Sequence, residues 1–320
     1  MILKRPFFWI MVAVVAVFAV APLFGGIGVR ESLMLSAIYM VLALNLNLMI
    51  GYTGYVNFGS IVFFGLGGTV GIYTITAWGW PLWAAMIGAA ALVSALALLL
   101  GLGILRLRGA YFALATIGVV EATKAFVSNF DPFGGSTGMY LNFTAYDPLG
   151  GPRQALWVLY FVAVGLLAAS LLLGYLIKRS RFGFGLFAIR EDEDAAMVLG
   201  VKAPLYKAII YSTSAALPAM AGVVFFFKNG VVQPDQAFDL TLSIEAIVMM
   251  MLGGQATVFG AAFGGFAYEQ FRGYLLTASA FSSFHLVIAG GLLLAIVLFA
   301  PGGLTGWLHE RWPATRRILE

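Results

Sequence analysis

The sequence contains no cysteine and only two histidines, His285 and His309, and one residue in ten is charged. The missing cysteine excludes disulfides, thiolate metal ligands and a thiol nucleophile, and two histidines are too few for a metal cluster. No metal site is expected. The P-loop pattern G-x-x-x-x-G-K-[ST] is absent, as are G-x-S-x-G, H-E-x-x-H and G-x-G-x-x-G. Nothing in these patterns points to an enzyme. Soluble domains carry about 25% charged residues, so a chain at 10% charged is not of that class.

What is present in excess is apolar. Of 320 residues, 62% are hydrophobic, and the mean hydropathy is +0.97. At about 20 apolar residues per membrane-spanning helix, the length accommodates about ten spans and no separate soluble catalytic domain. The expectation is an all-α polytopic membrane protein, 1–320 forming one transmembrane domain. The apolar stretches fall at 7–23, 32–50, 58–77, 82–104, 110–127, 155–177, 207–227, 240–253, 257–276 and 284–300. The first has the shape of a signal peptide, with Ala19-Val20-Ala21 as a cleavage motif. Pro22 directly after the cut disfavours cleavage, so an uncleaved first helix is expected.

The net charge of +4 does not call for nucleic acid, because cytoplasmic loops of membrane proteins collect Lys and Arg. With both termini in the cytoplasm and the spans alternating, thirteen of the eighteen positive charges lie inside. Arg30, Arg153 and Lys228 fall outside, among Glu31, Asp131, Asp147, Asp235 and Asp239. That bias favours an even number of spans.

Two places interrupt the apolar pattern with glycine: Gly51, Gly54 and Gly59 between the second and third spans, and Gly253-Gly254 after the short eighth. Broken backbone at membrane depth is tolerated only where it is buried in protein or lines a cavity. Each break leads into a G-x-x-x-G, Gly67 with Gly71 and Gly260 with Gly264, suited to close helix crossing. The shared texture fits either an internal duplication or chance. Asn45, Asn57, Ser60 and Glu245 lie beside the breaks and are candidates, with these glycines, to line a polar path. The plainer alternative is that the asparagines bond neighbouring helices and the glycines only permit packing.

Intramembrane acids are functional candidates by default. Glu121 has Lys124, and Glu269 has Arg272, three residues on, within reach along one helix. Glu245 has no such local partner. The densest charge lies in 178–205, where Arg190-Glu191-Asp192-Glu193-Asp194 opens a short predicted helix through Ala195 to Leu199. The acids suit the positive helix end, Gly200 suits a C-terminal cap and Pro204 stops continuation. Ile189, Ala196 and Leu199 fall near one apolar stripe. The segment is either a solvated connector or a helix that docks in a partner's groove.

Four stretches resemble the permease subunits of branched-chain amino acid ABC importers, of the LivM type. They are Gly51-Tyr52-Thr53-Gly54-Tyr55-Val56-Asn57-Phe58-Gly59 with Phe63-Phe64-Gly65; Leu105-Arg106-Leu107-Arg108-Gly109-Ala110-Tyr111 through Glu121, with the Gly134-Gly135-Ser136-Thr137-Gly138 loop; Ala188 to Gly200; and Leu252-Gly253-Gly254 with Phe299-Ala300-Pro301-Gly302-Gly303-Leu304. Their order is collinear over about residues 35–306. The chain departs from the family's pattern at Tyr55, Ser60 and Thr69, beside the first break.

The resemblance implies a heteromeric importer in a bacterial or archaeal cytoplasmic (inner) membrane, with a second homologous permease, two ABC ATPase subunits and an external substrate-binding protein. ATP and Mg would be bound by the ATPase partners and no cofactor by this chain. Leucine, isoleucine and valine are the implied substrates. The implied ATPase-coupling residues are Ile189, Arg190, Glu191, Asp192, Glu193, Asp194, Ala196, Leu199 and Gly200, with Ala196 and Leu199 filling the ATPase groove. The implied path residues are Asn45, Gly51, Gly54, Asn57, Gly59, Ser60, Glu245, Gly253 and Gly254. Urea, short amides or another small neutral solute are alternatives within the importer class. A secondary transporter using Glu121 or Glu245 as a proton relay is the rival outside it.

Overall fold

Glycines in the left-handed conformation end several of the apolar runs, at Gly54, Gly79 and Gly230. The computed structural model describes residues 6–277 and 302–311, with Val287, Gly290, Gly291 and Leu294. The helices are α1 (Pro6–Val20), α2 (Ile27–Thr53), α3 (Ser60–Trp78), α4 (Leu82–Ile104), α5 (Ala110–Ser128), α6 (Pro152–Arg179), α7 (Arg181–Glu191), α8 (Glu193–Val198), α9 (Ala203–Asn229), α10 (Pro234–Ala237), α11 (Leu240–Gly253), α12 (Val258–Thr277) and α13 (Gly303–Arg311). One antiparallel pairing joins β1 (Met139–Tyr140) to β2 (Val231–Val232), tying the 129–151 loop to the segment after α9.

Seven of the described helical segments are long and apolar enough to cross a membrane: α2 to α6, α9, and Pro234–Gly253, which joins α10 to α11. The polytopic all-α expectation holds. Of the other three expected spans, α1 is a shorter apolar helix, α12 carries Glu269 and Arg272 and is not among the seven, and the tenth lies almost wholly outside the described residues. The helix α11 has 14 residues and rises about 21 Å, less than a hydrocarbon core of about 30 Å.

The chain divides into two compact units, each assembled from separated stretches. Unit 1 takes residues up to Asn47, Ala163–Leu176 and the chain from Glu245 on; unit 2 takes Leu48–Val162 and Ile177–Ile244. In unit 2, α9 packs on α3 and α4. The contact with α3 is backbone on backbone: a Cβ on Gly67 would lie 2.4 Å from the Ala219 Cα, and one on Gly222 would lie 2.0 Å from the Phe64 carbonyl oxygen. Phe63 meets Tyr211, and Phe64 meets Phe226, around this crossing. Leu92, Leu96, Leu99, Leu114 and Phe126 of α4 and α5 are exposed, the surface expected of helices solvated by lipid tails rather than water.

In unit 1 the same device serves other helices. A Cβ on Gly264 would lie 1.9 Å from the Met249 carbonyl oxygen, and one on Gly265 would lie 2.9 Å from the Met40 Cα. Along α2 every residue from Ser36 to Thr53 is buried, as expected of a helix that is apolar on all faces.

Candidate functional site

In unit 2 the first break is built around short polar caps. Gly54, at φ +76°, ends α2 with its N–H on the Ile50 carbonyl, a left-handed cap that glycine adopts without a Cβ clash. The Asn57 Oδ1 accepts the Gly59 N–H at 2.8 Å, and the Phe58 N–H donates to the Thr116 Oγ1 at 3.1 Å. The Ser243 Oγ accepts the Ile61 N–H at 3.2 Å and lies 3.4 Å from the Ser60 Oγ. Residues 57–61 are thus tied by single bonds to their own asparagine, to α5 and to the start of α11.

The charged segment 178–205 folds as two helices. Ser180 caps α7 by accepting the Gly183 N–H, and Asp192 caps α8 by accepting the Asp194 and Ala195 N–H groups, as short polar residues do at helix starts. Gly200, at φ +92°, ends the turn after α8. The single predicted helix is therefore corrected to a pair broken at Asp192, and its stripe is corrected too. Ile189 and Ala196 are buried within this chain and pack with Ala203, so Ala196 is not free to fill a partner's groove. Val198 and Leu199 are 87% and 84% exposed, beside the exposed Met197. Those three form the open apolar tip.

Between α8 and the first break lies a cluster that sequence patterns did not reveal. The Tyr55 hydroxyl donates to Glu193 Oε2 at 2.5 Å. The Lys207 ammonium, with the residue only 2% exposed, donates to Glu193 Oε1 at 2.7 Å, to the Tyr55 oxygen at 2.9 Å and to the Leu105 carbonyl at 2.9 Å. All three of its protons have acceptors. Removing one partner of such a buried pair typically costs about 3–5 kcal/mol, because the other charge is left uncompensated. Burial, and then the bond to Glu193, push the Tyr55 hydroxyl above its ordinary range, so it stays protonated and donating.

Two further arms bind the same segment. Arg190 Nη1 donates to the Gly51 carbonyl at 2.6 Å, gripping the last turn of α2. Arg108, in the turn between α4 and α5, forms a two-pronged pair with Asp194 at 2.8 and 3.0 Å. This pair is exposed, so it adds little stability. Arg108 holds the Asp194 carboxyl below the usual carboxylate range, and Asp194 raises the guanidinium in turn.

Unit 1 holds the second break and the remaining candidates. Gly254 has φ +122°, and Ala256, without glycine's freedom, sits at φ +61°. Asn47 spans that strained residue: its Oδ1 accepts the Ala256 N–H at 2.9 Å and its Nδ2 donates to the Thr257 carbonyl at 3.1 Å. Thr257 donates to the Gly254 carbonyl and Thr305 to the Gly253 carbonyl, each at 2.9 Å. The Asn45 amide donates to the Val41 carbonyl and to the Ser170 Oγ.

Glu269 pairs with Arg272 along α12 as expected, its carboxylate 3.5 Å from Nη1, and Glu245 of α11 meets the same guanidinium at Nε, 3.4 Å away. One guanidinium is shared by two buried carboxylates. Lys124 pairs with Asp235 at 2.9 Å, in place of the expected Glu121. A cavity of about 730 Å³ in the same unit is walled by Ile10, Val14, Phe18, Phe259, Phe266 and other apolar groups with Thr305. It offers no charge to an ammonium or carboxylate.

Unit 2 thus brings Gly51, Gly54, Asn57, Gly59 and Ser60 together with Arg190, Glu193 and Asp194, whereas Asn45, Glu245, Gly253 and Gly254 belong to unit 1. Sequence reasoning gave no role to Lys207, Tyr55, Arg108 or Thr305; Asn47, which it placed beside a break as a helix-bonding or path-lining residue, does bond a neighbouring segment. The single legible hint was a lysine at the start of an apolar run.

Residues 28–297 match the family described as branched-chain amino acid transport system / permease component. The chain is 27% identical over 293 residues to the high-affinity branched-chain amino acid transport system permease protein LivM of Escherichia coli strain K12, covering 84% of this chain and 68% of that one. It is 32% identical over 150 residues to the corresponding permease protein BraD of Pseudomonas aeruginosa, 47% of each chain. A third relative is the autoinducer 2 import system permease protein LsrC of Salmonella typhimurium, 26% identical over 137 residues, 42% of this chain and 40% of that one. No solved structure gives a significant match.

Proposed function

Since the chain belongs to the branched-chain amino acid transport permease family, we propose that it is the membrane subunit of an ATP-driven importer of leucine, isoleucine and valine. It is an integral membrane protein that forms half of the translocation path beside a second, homologous permease. Two ABC ATPase subunits hold the ATP and Mg, and an external binding protein delivers the substrate. The complex sits in the cytoplasmic (inner) membrane with both termini and residues 178–205 on the cytoplasmic side.

The observation that carries this reading is the family match over residues 28–297, in a chain without a P-loop of its own. The described surface agrees in character. The exposed Met197, Val198 and Leu199 are flanked by Glu191, Asp192 and Asp194, an apolar tip with charged borders that suits a groove in a partner protein. A branched-chain amino acid is a neutral zwitterion, and conduction requires weak binding. Asn57, Ser60 and the glycines of the two breaks supply weak polar and backbone groups without fixed charge. ATP hydrolysis moves the ATPase subunits, α8 follows them, and the path opens alternately to each side.

The test is uptake of radiolabelled leucine by proteoliposomes holding the four membrane and ATPase subunits, with binding protein outside. ATP-dependent uptake competed by isoleucine and valine is expected. Uptake driven by a proton gradient without the ATPases would overturn the reading in favour of a secondary transporter. The match to LsrC supports a second reading, another small neutral solute; competition by urea, short amides or autoinducer 2, with none by isoleucine, would establish it. For orientation, single cysteines at Asp192 and Ser136 should be labelled by an impermeant reagent from the cytoplasmic and external sides respectively. The reverse pattern refutes the topology.

A further inference from the structure

We infer that Lys207 is a positioning residue that fastens α8 to the α2–α3 break, so that a displacement of α8 is delivered first to residues 54–59. This rests on the reading that α8 docks on an ATPase subunit and adds the route by which its motion enters the membrane segment.

Few apolar contacts hold α8. It has six residues, and its inner face contributes only Ala196 to a small apolar cluster with Ile189 and Ala203. Its directional ties are polar. Glu193 on its first turn takes the Tyr55 hydroxyl on one carboxylate oxygen and the Lys207 ammonium on the other. Lys207 also holds the Tyr55 oxygen and the Leu105 carbonyl, and its Nζ lies 4.5 Å from the centre of the Tyr55 ring. The three side chains form a closed triangle, and the Tyr55 ring is braced edge-on against Phe112 at 5.3 Å. One residue before α8, the Asp192 cap follows Arg190 by two positions, and Arg190 holds the Gly51 carbonyl.

The junction of α7 and α8 therefore grips the chain on both sides of Gly54, at Gly51 and at Tyr55. From Gly54, between those grips, the backbone has left the helix, and Gly54 and Val56 are exposed. A stretch without the regular helical ladder is the compliant element here, whereas α9, which carries Lys207, is anchored along α3 and α4 by backbone contact. A push on α8 meets a fixed post at Lys207 and a yielding strand at Tyr55.

A merely structural staple predicts something different, and that difference is the test. Lys207→Met, Lys207→Arg, Tyr55→Phe and the double variant Lys207→Met with Glu193→Leu are assembled with the partner subunits in proteoliposomes. ATP hydrolysed per leucine imported is then measured. A cysteine at Leu199, cross-linked to the ATPase subunits, reports docking in every complex.

Lys207→Met should impair assembly by leaving the Glu193 charge only the longer, exposed contact with Arg108 at 3.8 Å. The double variant removes both charges and should recover assembly, yet its ATP-to-leucine ratio should rise at least about fivefold, the low end of ordinary coupling energies. Tyr55→Phe, which keeps the ring and loses the bond, should raise the ratio in the same direction, and Lys207→Arg should restore most of it. A normal ratio in the assembled double variant and in Tyr55→Phe, with Leu199 still cross-linking, overturns the latch alone. Absence of the Leu199 cross-link in the otherwise unmodified complex overturns the docking reading and the latch with it.

Discussion

The chain leaves helical geometry at residues 54–59 and again at 254–257, in stretches of similar glycine-rich texture, and the two breaks are held by opposite chemistries. The first is held by charge at its start, Gly51 and Tyr55, with neutral caps only from Asn57 on. Arg190 binds the Gly51 carbonyl, and the Tyr55 hydroxyl is locked to Glu193 and Lys207. The second is held by neutral amide and hydroxyl groups, Asn47 and Thr305, and by glycine backbones in contact. Charged ties are directional and costly to break one at a time, whereas close-packed backbone resists any change of volume. The first break is suited to being pulled, and the second to holding its shape.

The comparison predicts where bulk and where polarity matter. The largest effect should come from Gly253→Val, since a Cβ there would lie 1.6 Å from the Gly260 carbonyl oxygen. We expect loss of folded protein from the membrane, measured as the monodisperse fraction after detergent extraction. At the first break, Gly59→Ala meets the Thr116 carbonyl at 3.1 Å and should leave most of the protein folded. Equal losses at both sites would erase the contrast.

Next in size is the asparagine pair. Asn47→Leu removes both part-buried bonds that bracket Ala256, at a cost of about 1–3 kcal/mol for the two together. Asn57→Leu removes one bond, to the Gly59 N–H, and should cost about 1 kcal/mol. Thermal unfolding in detergent should therefore fall further for Asn47→Leu. The opposite order would mean that the first break, and not the second, is the stiffer element.

The smallest expected effect is a gain. Ala256 at φ +61° bears a left-handed conformation that costs a non-glycine residue about 1–2 kcal/mol. Glycine relieves it but enlarges the entropy of the unfolded chain by about 0.4–1 kcal/mol. Ala256→Gly should thus raise the unfolding temperature slightly. A fall would show that the Ala256 methyl contributes packing that outweighs the strain.

Much of this protein was legible in order along the chain. The apolar runs gave α2 to α6, α9, α11 and α12 to within a few residues at most ends, with α2 and α9 extending furthest, because burial in lipid demands long apolar segments whose backbone bonds close within themselves. The ends of α2 and of the turn after α8 were readable from Gly54 and Gly200, because a left-handed cap is a local demand that glycine meets. Other local inferences failed for a reason that is equally physical. Lys124 lies within helical reach of Glu121 but pairs with Asp235, since spacing along a helix fixes which side chains are neighbours and not which outside group competes for them. Ala196 and Leu199 share a stripe on paper, yet Asp192 breaks the helix before them and Ala196 turns inward.

Composition and periodicity by themselves determined that this is a polytopic membrane protein, where its helices run and where they break, because hydropathy and turn chemistry act over a few residues. Only the tertiary structure decided what holds each break. Lys207 and Tyr55 are 152 positions apart and Asn47 and Ala256 are 209 apart. A buried ammonium or amide takes whichever acceptors packing brings within 3 Å, and no pattern along the chain encodes that distance.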